Sequence, residues 1–140
     1  MKIGITGTRR GASTAQLAAL EAWFTDCRAD ELHHGDCRGV DEVVAKMARR
    51  HKVRIVSHPP NIGTSRAYVP SDVYFKVLPY IERNHVIVDM TDGLIVVPNS
   101  PAELIRSGTW ATCRYARSKG KRIWIIYPDG TWEYEGDHET

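Results

Sequence analysis

The sequence predicts an α/β protein: a doubly wound, mostly parallel five-stranded sheet with helices on both faces. Three observations point there. Short β-branched runs alternate with helical patterns along the whole chain. Glycine or proline closes the strand runs, as at Gly7, Gly35 and Pro98. The 140 residues, 42% hydrophobic and 26% charged, suffice for one globular core and are too few for two of ordinary size. Residues 1–135 are therefore expected to form one domain, with 136–140 as a flexible tail.

The elements follow in order. "KIGIT" (2–6) is a strand ended by Gly7. Ser13 and Gln16 fit a capping box, and the helix behind them carries Leu17, Leu20, Phe24 and Cys27 at helical spacing beside Trp23. "ELHH" (31–34) is a weaker strand signal. Over 39–50, Val40, Val43, Val44 and Met47 recur with helical period. "VRIVSH" (53–58) is the third strand. The irregular "PPNIGTSRAYVPSDVY" that follows is long for a compact domain, and such loops are often functional. Pro79 suits the first turn of a helix over about 80–91. "GLIVV" (93–97) is the fourth strand. A helix from about Thr109 stops at Gly120, with Arg114, Arg117 and Lys119 where the helix dipole favours cations. "RIWIIY" (122–127) is the fifth strand, and "TWEYE" after the "PDG" turn is a candidate short antiparallel edge strand.

Composition excludes several classes. No apolar run approaches the ~20 residues of a membrane helix, and "MKIGITG" is no signal peptide, so a cytoplasmic protein is expected. Cys27, Cys37 and Cys113 are odd in number and lack metal-site spacing, which reads as free thiols and no metal. His33 and His34 would face opposite sides of a strand, which argues against a shared metal. A net charge of +2 is too small for a strong nucleic-acid stripe and suits a small anion better.

In an open α/β sheet, ligands bind beyond the carboxyl ends of the strands where the strand order reverses. Three loops qualify. "GITGTRRGAS" (4–13) sets Gly7 and Gly11 around Thr8, Arg9 and Arg10. It is neither a dinucleotide fingerprint nor a Walker A loop. A glycine turn with two arginines still suits phosphate or carboxylate, the bland alternative being a plain turn with solvated arginines. "HGDCRGVDE" (34–42) repeats the logic with Gly35, Asp36, Arg38 and Gly39. Asp36 either caps the next helix or, with Asp41, holds a ribose hydroxyl. In "RSGTWAT" (106–112), Ser107 or Thr109 caps a helix, Gly108 allows close backbone approach, and Arg106 offers a fork for an anion. Trp110 stacks on a base or fills the core.

Taken together, "GITGTRRG", "HGDCRGVDE", "ERN" (82–84), Asp92 with "LIVVP", and "SGTW" followed by "ARSKGKRIWIIYPDG" resemble the SLOG superfamily. That superfamily joins DprA/Smf proteins with the "lonely guy" enzymes, and the layout is most similar to its short YspA-like, phage-type members. The resemblance implies a Rossmann-like fold and a nucleotide or nucleotide-derived ligand at the strand ends, touched by Arg83, Asn84 and Pro98 as well as the three loops. It also implies pairing into dimers or larger oligomers, for which Trp23, Tyr80 and Trp132 are candidate interface or core aromatics. Enzymes of the group cleave N-glycosidic bonds with a glutamate three residues after the threonine of "GT". Here that position is Thr112.

An oxocarbenium-like transition state needs a carboxylate, which threonine does not supply. Glu103, in an insert of the same loop, is the nearest substitute in sequence, with Asp89 and Asp92 as further carboxylates. The leading expectation is a protein that binds such a ligand, an ADP-ribose-like or cyclic nucleotide for example, as sensor or sponge without turnover and without a cofactor. A nucleoside-monophosphate phosphoribohydrolase or deoxyribosyltransferase-like enzyme comes second, and a DprA-like binder of single-stranded DNA third.

Overall fold

A computed structural model describes residues 1–61 and 65–136. In chain order the elements are β1 (Lys2–Gly7), α1 (Thr14–Asp26), β2 (Glu31–His34), α2 (Val40–Arg50), β3 (Arg54–Ser57), β4 (Val73–Tyr74), α3 (Tyr80–Asp89), β5 (Gly93–Val97), α4 (Gly108–Ser118), β6 (Arg122–Ile126) and β7 (Trp132–Glu135). They build one sheet in the order β4-β3-β2-β1-β5-β6-β7. Every neighbouring pair is parallel except β6–β7, which forms the antiparallel edge expected from "TWEYE".

The sheet has seven strands where five and an edge were expected. The strand that sequence missed is β4, and two residues are too few for any alternation to show. Its pairing is fixed by tertiary bonds: Asp72 Oδ2 accepts from the Ile55 N–H at 2.8 Å, and the Phe75 N–H donates to Ser57 O at 2.9 Å.

Consecutive residues of β5 go to opposite faces, so the whole run is apolar. Ile95 and Val97 pack with Ile3, Ile5, Leu32 and Ile55 under α1 and α2. Leu94 and Val96 pack with Ile123 and Ile125 against Val88 of α3 and Trp110 and Cys113 of α4. The capping box forms: Gln16 N–H donates to Ser13 Oγ at 3.0 Å, and Ser13 N–H to Gln16 Oε1 at 2.9 Å. Val43 departs from its periodic expectation and is 37% exposed, because the buried stripe of α2 runs through Val40, Val44, Met47 and Ala48 instead.

Two glycines fix how α2 docks. A Cβ on Gly7 would lie 2.4 Å from Val40 Cγ1. Gly39 has φ +93°, and a Cβ there would meet Arg9 O at 2.5 Å. The turn before α2 therefore sits directly on the loop after β1. Of the expected tail, Gly136 packs against Arg122 and so belongs to the folded part, while 137–140 lie outside the described residues.

Candidate functional site

β1 is the point where the strand order turns: β2 lies on one side and β5 on the other. The chain leaves β1 for α1 on one face and β5 for α4 on the other, which opens a crevice at the strand ends. A cleft of about 390 Å³ occupies it, within the ~300–1,000 Å³ usual for small-molecule sites. Gly7, Thr8, Arg9 and Arg10 line it from the loop after β1, Gly35, Cys37 and Asp41 from the β2–α2 turn. Tyr80, Arg83 and Asn84 line it from α3, and Gly108 and Thr109 from the start of α4.

Arg83 organises this cleft from beneath and is 4% exposed. Nη1 donates to the carbonyls of Gly35 and, at 3.1 Å, His58. Nε donates to Asn84 Oδ1 at 2.8 Å, and Nη2 stands 3.8 Å from Cys37 Sγ. Most of its donors are thus committed to the protein. Arg9 differs: it is exposed, its guanidinium lies 4.7 Å from the Tyr80 ring centroid, and Nη1 reaches Ser65 Oγ at 3.2 Å. Arg10 is exposed as well. Those two side chains, unlike Arg83, are exposed cations at the rim of the cleft.

The β2–α2 turn does not supply the expected cradle of N–H groups. Gly35 and Cys37 N–H donate to the Asp41 carboxylate. Asp36 N–H goes to His34 Nδ1, Arg38 N–H to Ser65 O and Val40 N–H to Thr8 O. The turn is consumed by its own fold. The start of α4 is different. Ser107 Oγ caps the Trp110 N–H at 3.3 Å, and Gly108 and Thr109, first-turn residues whose N–H groups have no partner within the helix, line the cleft. A Cβ at Gly108 would meet nothing within 4 Å, so that end is open to a ligand.

Several expected contacts fall elsewhere. Asp36 is fully buried with φ +52°. It does not cap α2, and it is too deep for a ribose hydroxyl: Oδ1 accepts from the Val69 N–H and Oδ2 from Arg66 Nε, both at 2.8 Å, which ties down the segment before β4. Arg38 is exposed and outside the cleft lining, and Gly39 serves the α2 docking. Pro98 points its carbonyl to Gln16 Nε2 at 2.7 Å on the α1 side. Arg106 is exposed beyond the lining residues, and Ser107 acts as the cap. Trp110 is 1% exposed in the core, so its ring cannot stack on a base. Glu103 is bound by Arg114 at 3.0 Å and Arg117 at 3.3 Å on the outer surface and cannot stand in as a catalytic carboxylate. Asp89 takes the Tyr115 hydroxyl, and Asp92 takes the Lys2 N–H.

The carboxylate that does line the cleft is Asp41. Burial raises its pKa to about 6, against the pull of the Arg83 charge. Burial likewise raises the Cys37 thiol and keeps it a poor nucleophile. Tyr80, a candidate interface or core aromatic from the sequence, instead lines the cleft, with the Arg9 and Arg83 guanidinium groups over its ring. Thr112 is 4% exposed, lies outside the cleft lining, and donates its hydroxyl to Gly108 O at 2.9 Å. Thr112→Glu is therefore expected to cost ~1–3 kcal/mol through overpacking and a buried charge and to create no glycosidic cleavage. Chemical denaturation and a free-base assay check both.

No protein-family model matches the chain, and no curated protein sequence matches it. Solved structures do. A molybdenum cofactor binding protein from Rippkaea orientalis is 19% identical, with 90% of this chain and 76% of that one aligned and a TM-score of 0.69. The molybdenum cofactor carrier protein of Chlamydomonas reinhardtii is 21% identical over 89% of this chain and 74% of its own, with a TM-score of 0.62. DNA processing protein A from Helicobacter pylori, described with a single-stranded DNA binding mode, is 16% identical over 89% and 64%, with a TM-score of 0.61. At these identities the likeness establishes the architecture. Among the described residues no helix is long and apolar enough to cross a membrane.

Proposed function

Starting from a Rossmann-like fold of the SLOG superfamily, we propose that the cleft binds a nucleotide or nucleotide-derived small molecule and holds it without turnover, as a sensor or a sequestering protein. One observation carries this reading. Two exposed arginines and the open N-terminus of α4 converge on a single cleft at the switch point of the sheet. The Gly108 and Thr109 N–H groups take a phosphate, Arg9 and Arg10 close on it, and the Asn84 amide and the Tyr80 ring meet the rest of the ligand. Arg83 and Asp41 hold the walls. Position supports the reading without turnover: Thr112 and Glu103 are both outside the lining, and Asp41 accepts two backbone N–H groups.

Calorimetric titration tests it with nucleoside mono- and diphosphates, ADP-ribose and cyclic nucleotides, and with the molybdenum cofactor, because two of the solved neighbours are named for it. An oligonucleotide belongs in the same panel, because one neighbour is described as binding single-stranded DNA and the charge balance alone does not exclude that partner. The expected result is micromolar binding of a phosphate-bearing small molecule, weakened at least tenfold in Arg9→Ala/Arg10→Ala with the fold intact. Binding by the oligonucleotide alone, or by nothing in the panel, defeats the reading. Release of free base that stops in Asp41→Asn replaces it with an enzyme.

A further inference from the structure

A second cavity lies on the face of the sheet away from α3 and α4. In a doubly wound sheet a helix normally follows each inner strand. Here β6 turns straight back into β7, and the strip of sheet beside α1 stays open among the described residues. The strip is aromatic. Trp132 pairs with Ile126, and Tyr134 with Trp124, so all four share the face that looks toward α1. Trp132 lies diagonally across from Trp124, within reach of an aromatic side chain, and remains 60% exposed. Trp23 stands edge-on to Trp124 at 5.4 Å. Opposite this wall α1 presents Ala15, Ala18, Ala19 and Ala22, one stripe at helical spacing. Between the two walls lies a groove of about 690 Å³.

Its charge is one-sided. The chain carries 19 Lys and Arg and a net charge of +2. Yet the charged residues lining this groove are Asp26 and Asp129, both carboxylates and both exposed. They stand at its two ends. The turn holding Asp129 is pressed against the start of α1, where a Cβ on Gly130 would lie 3.0 Å from Ala15. Asp26 is the last residue of α1. From Ala15 to Asp26 the helix advances roughly 16 Å.

We propose that this groove is a second ligand site, for an elongated organic cation with an apolar body and a positive group at each end. The body lies along the alanine stripe and against Trp132 and Trp124. The charged ends meet Asp26 and Asp129, with cation–π attraction from the indole faces. Other occupants fit less well. A second copy of this chain would bring the same pair of carboxylates to the contact. A docked helix is ~10 Å wide and would run into the turn that closes the groove against Ala15. The site shares no residue with the cleft at the strand ends and stands or falls independently of it.

Three of the four tryptophans line the groove, so intrinsic fluorescence reports its occupancy. The probe is decamethylene bis(trimethylammonium), with decanediol as its uncharged counterpart. The dication is expected to quench the fluorescence with a sub-millimolar midpoint, at least tenfold below that of the diol. Trp132→Ala should weaken it at least fivefold. Asp26→Asn/Asp129→Asn should weaken it at least tenfold; asparagine keeps the acceptor that Thr131 uses at 2.9 Å. Both variants change exposed residues, and an unchanged melting temperature confirms their fold. Equal binding of dication and diol, undiminished binding by the double variant, or no response to the dication would each overturn the proposal.

Discussion

Arg83→Ala is expected to lower the unfolding free energy by about 3–5 kcal/mol, the scale of removing one member of a buried charged network, and to abolish ligand binding in the cleft. The substitution strips the Gly35 and His58 carbonyls and the Asn84 side chain of their donor at once. It also removes the positive charge that restrains Asp41. Asp41 gives the effect a pH signature. Its folded pKa, about 6, stands above the ordinary 3.8, so the native state holds the proton longer than the unfolded chain. The burial cost is absent at low pH and appears as pH rises between those values. Without Arg83 the folded value climbs further. Urea denaturation should therefore show a larger loss at pH 7 than at pH 5. Arg83→Lys should recover less than half, because one ammonium cannot reproduce the planar fork that spans α3, β2 and β3. An Arg83→Ala protein as stable as the parent at pH 7 would remove the arginine from its organising place.

Acidification is the second large effect. His34 and His58 are buried, and burial lowers their pKa values to about 4 and about 3 from the ordinary 6.5. His33 is also lowered by burial, although its bond to Glu31 opposes the shift. The three are coupled through geometry. His33 Nδ1 meets His58 Nε2 at 2.8 Å, and His58 stacks on Phe75 at 4.6 Å. His34 accepts the Asp36 N–H on Nδ1, which a proton there would break. A lowered histidine contributes its stability fully above the unfolded pKa, and that contribution is lost as pH falls toward the folded value. The loss should therefore run from about pH 6.5 down to about pH 4. Asp41 works in the opposite sense across part of that window but is one group against two larger shifts. A net loss of ~3–5 kcal/mol between pH 7 and pH 4 follows at the usual 1.36 kcal/mol per pKa unit, discounted for coupling. His58→Phe keeps a ring between His33 and Phe75 and should flatten the decline. An unchanged slope in that variant would place the acid sensitivity elsewhere.

The elements were legible where one local signal was strong. Ser13 and Gln16 announce α1, the unbroken apolar run of β5 marks a central strand, and Gly120 marks the end of α4 with φ +67°. The site was legible as a set of loops and less so as side chains. Gly7–Arg10, Gly35, Arg83, Asn84, Gly108 and Thr109 do meet in one cleft. Asp36, Arg38, Gly39, Pro98, Arg106, Ser107 and Trp110 came with the same motifs and serve the fold or the outer surface instead. Motif and direction are separate facts. A residue in a turn points wherever the next bond takes it, and Asp36 shows this by turning, at positive φ, away from the cleft and toward Val69 and Arg66.

By itself, then, the sequence determined the order and type of the elements, the two-faced core and the end of the sheet where the cleft opens. Each of these depends on periodicity or on a residue acting within its own turn. Only the tertiary structure decided that the sheet has a seventh strand, that the N–H groups of the β2–α2 turn are taken up within the protein, and that Asp41 is the carboxylate in the cleft. The strand depends on partners 17 residues apart, Asp72 with Ile55, and the cleft on partners 48 apart, Arg83 with Gly35. Hydrogen bonds across such separations are set by packing, and packing leaves no period in the chain.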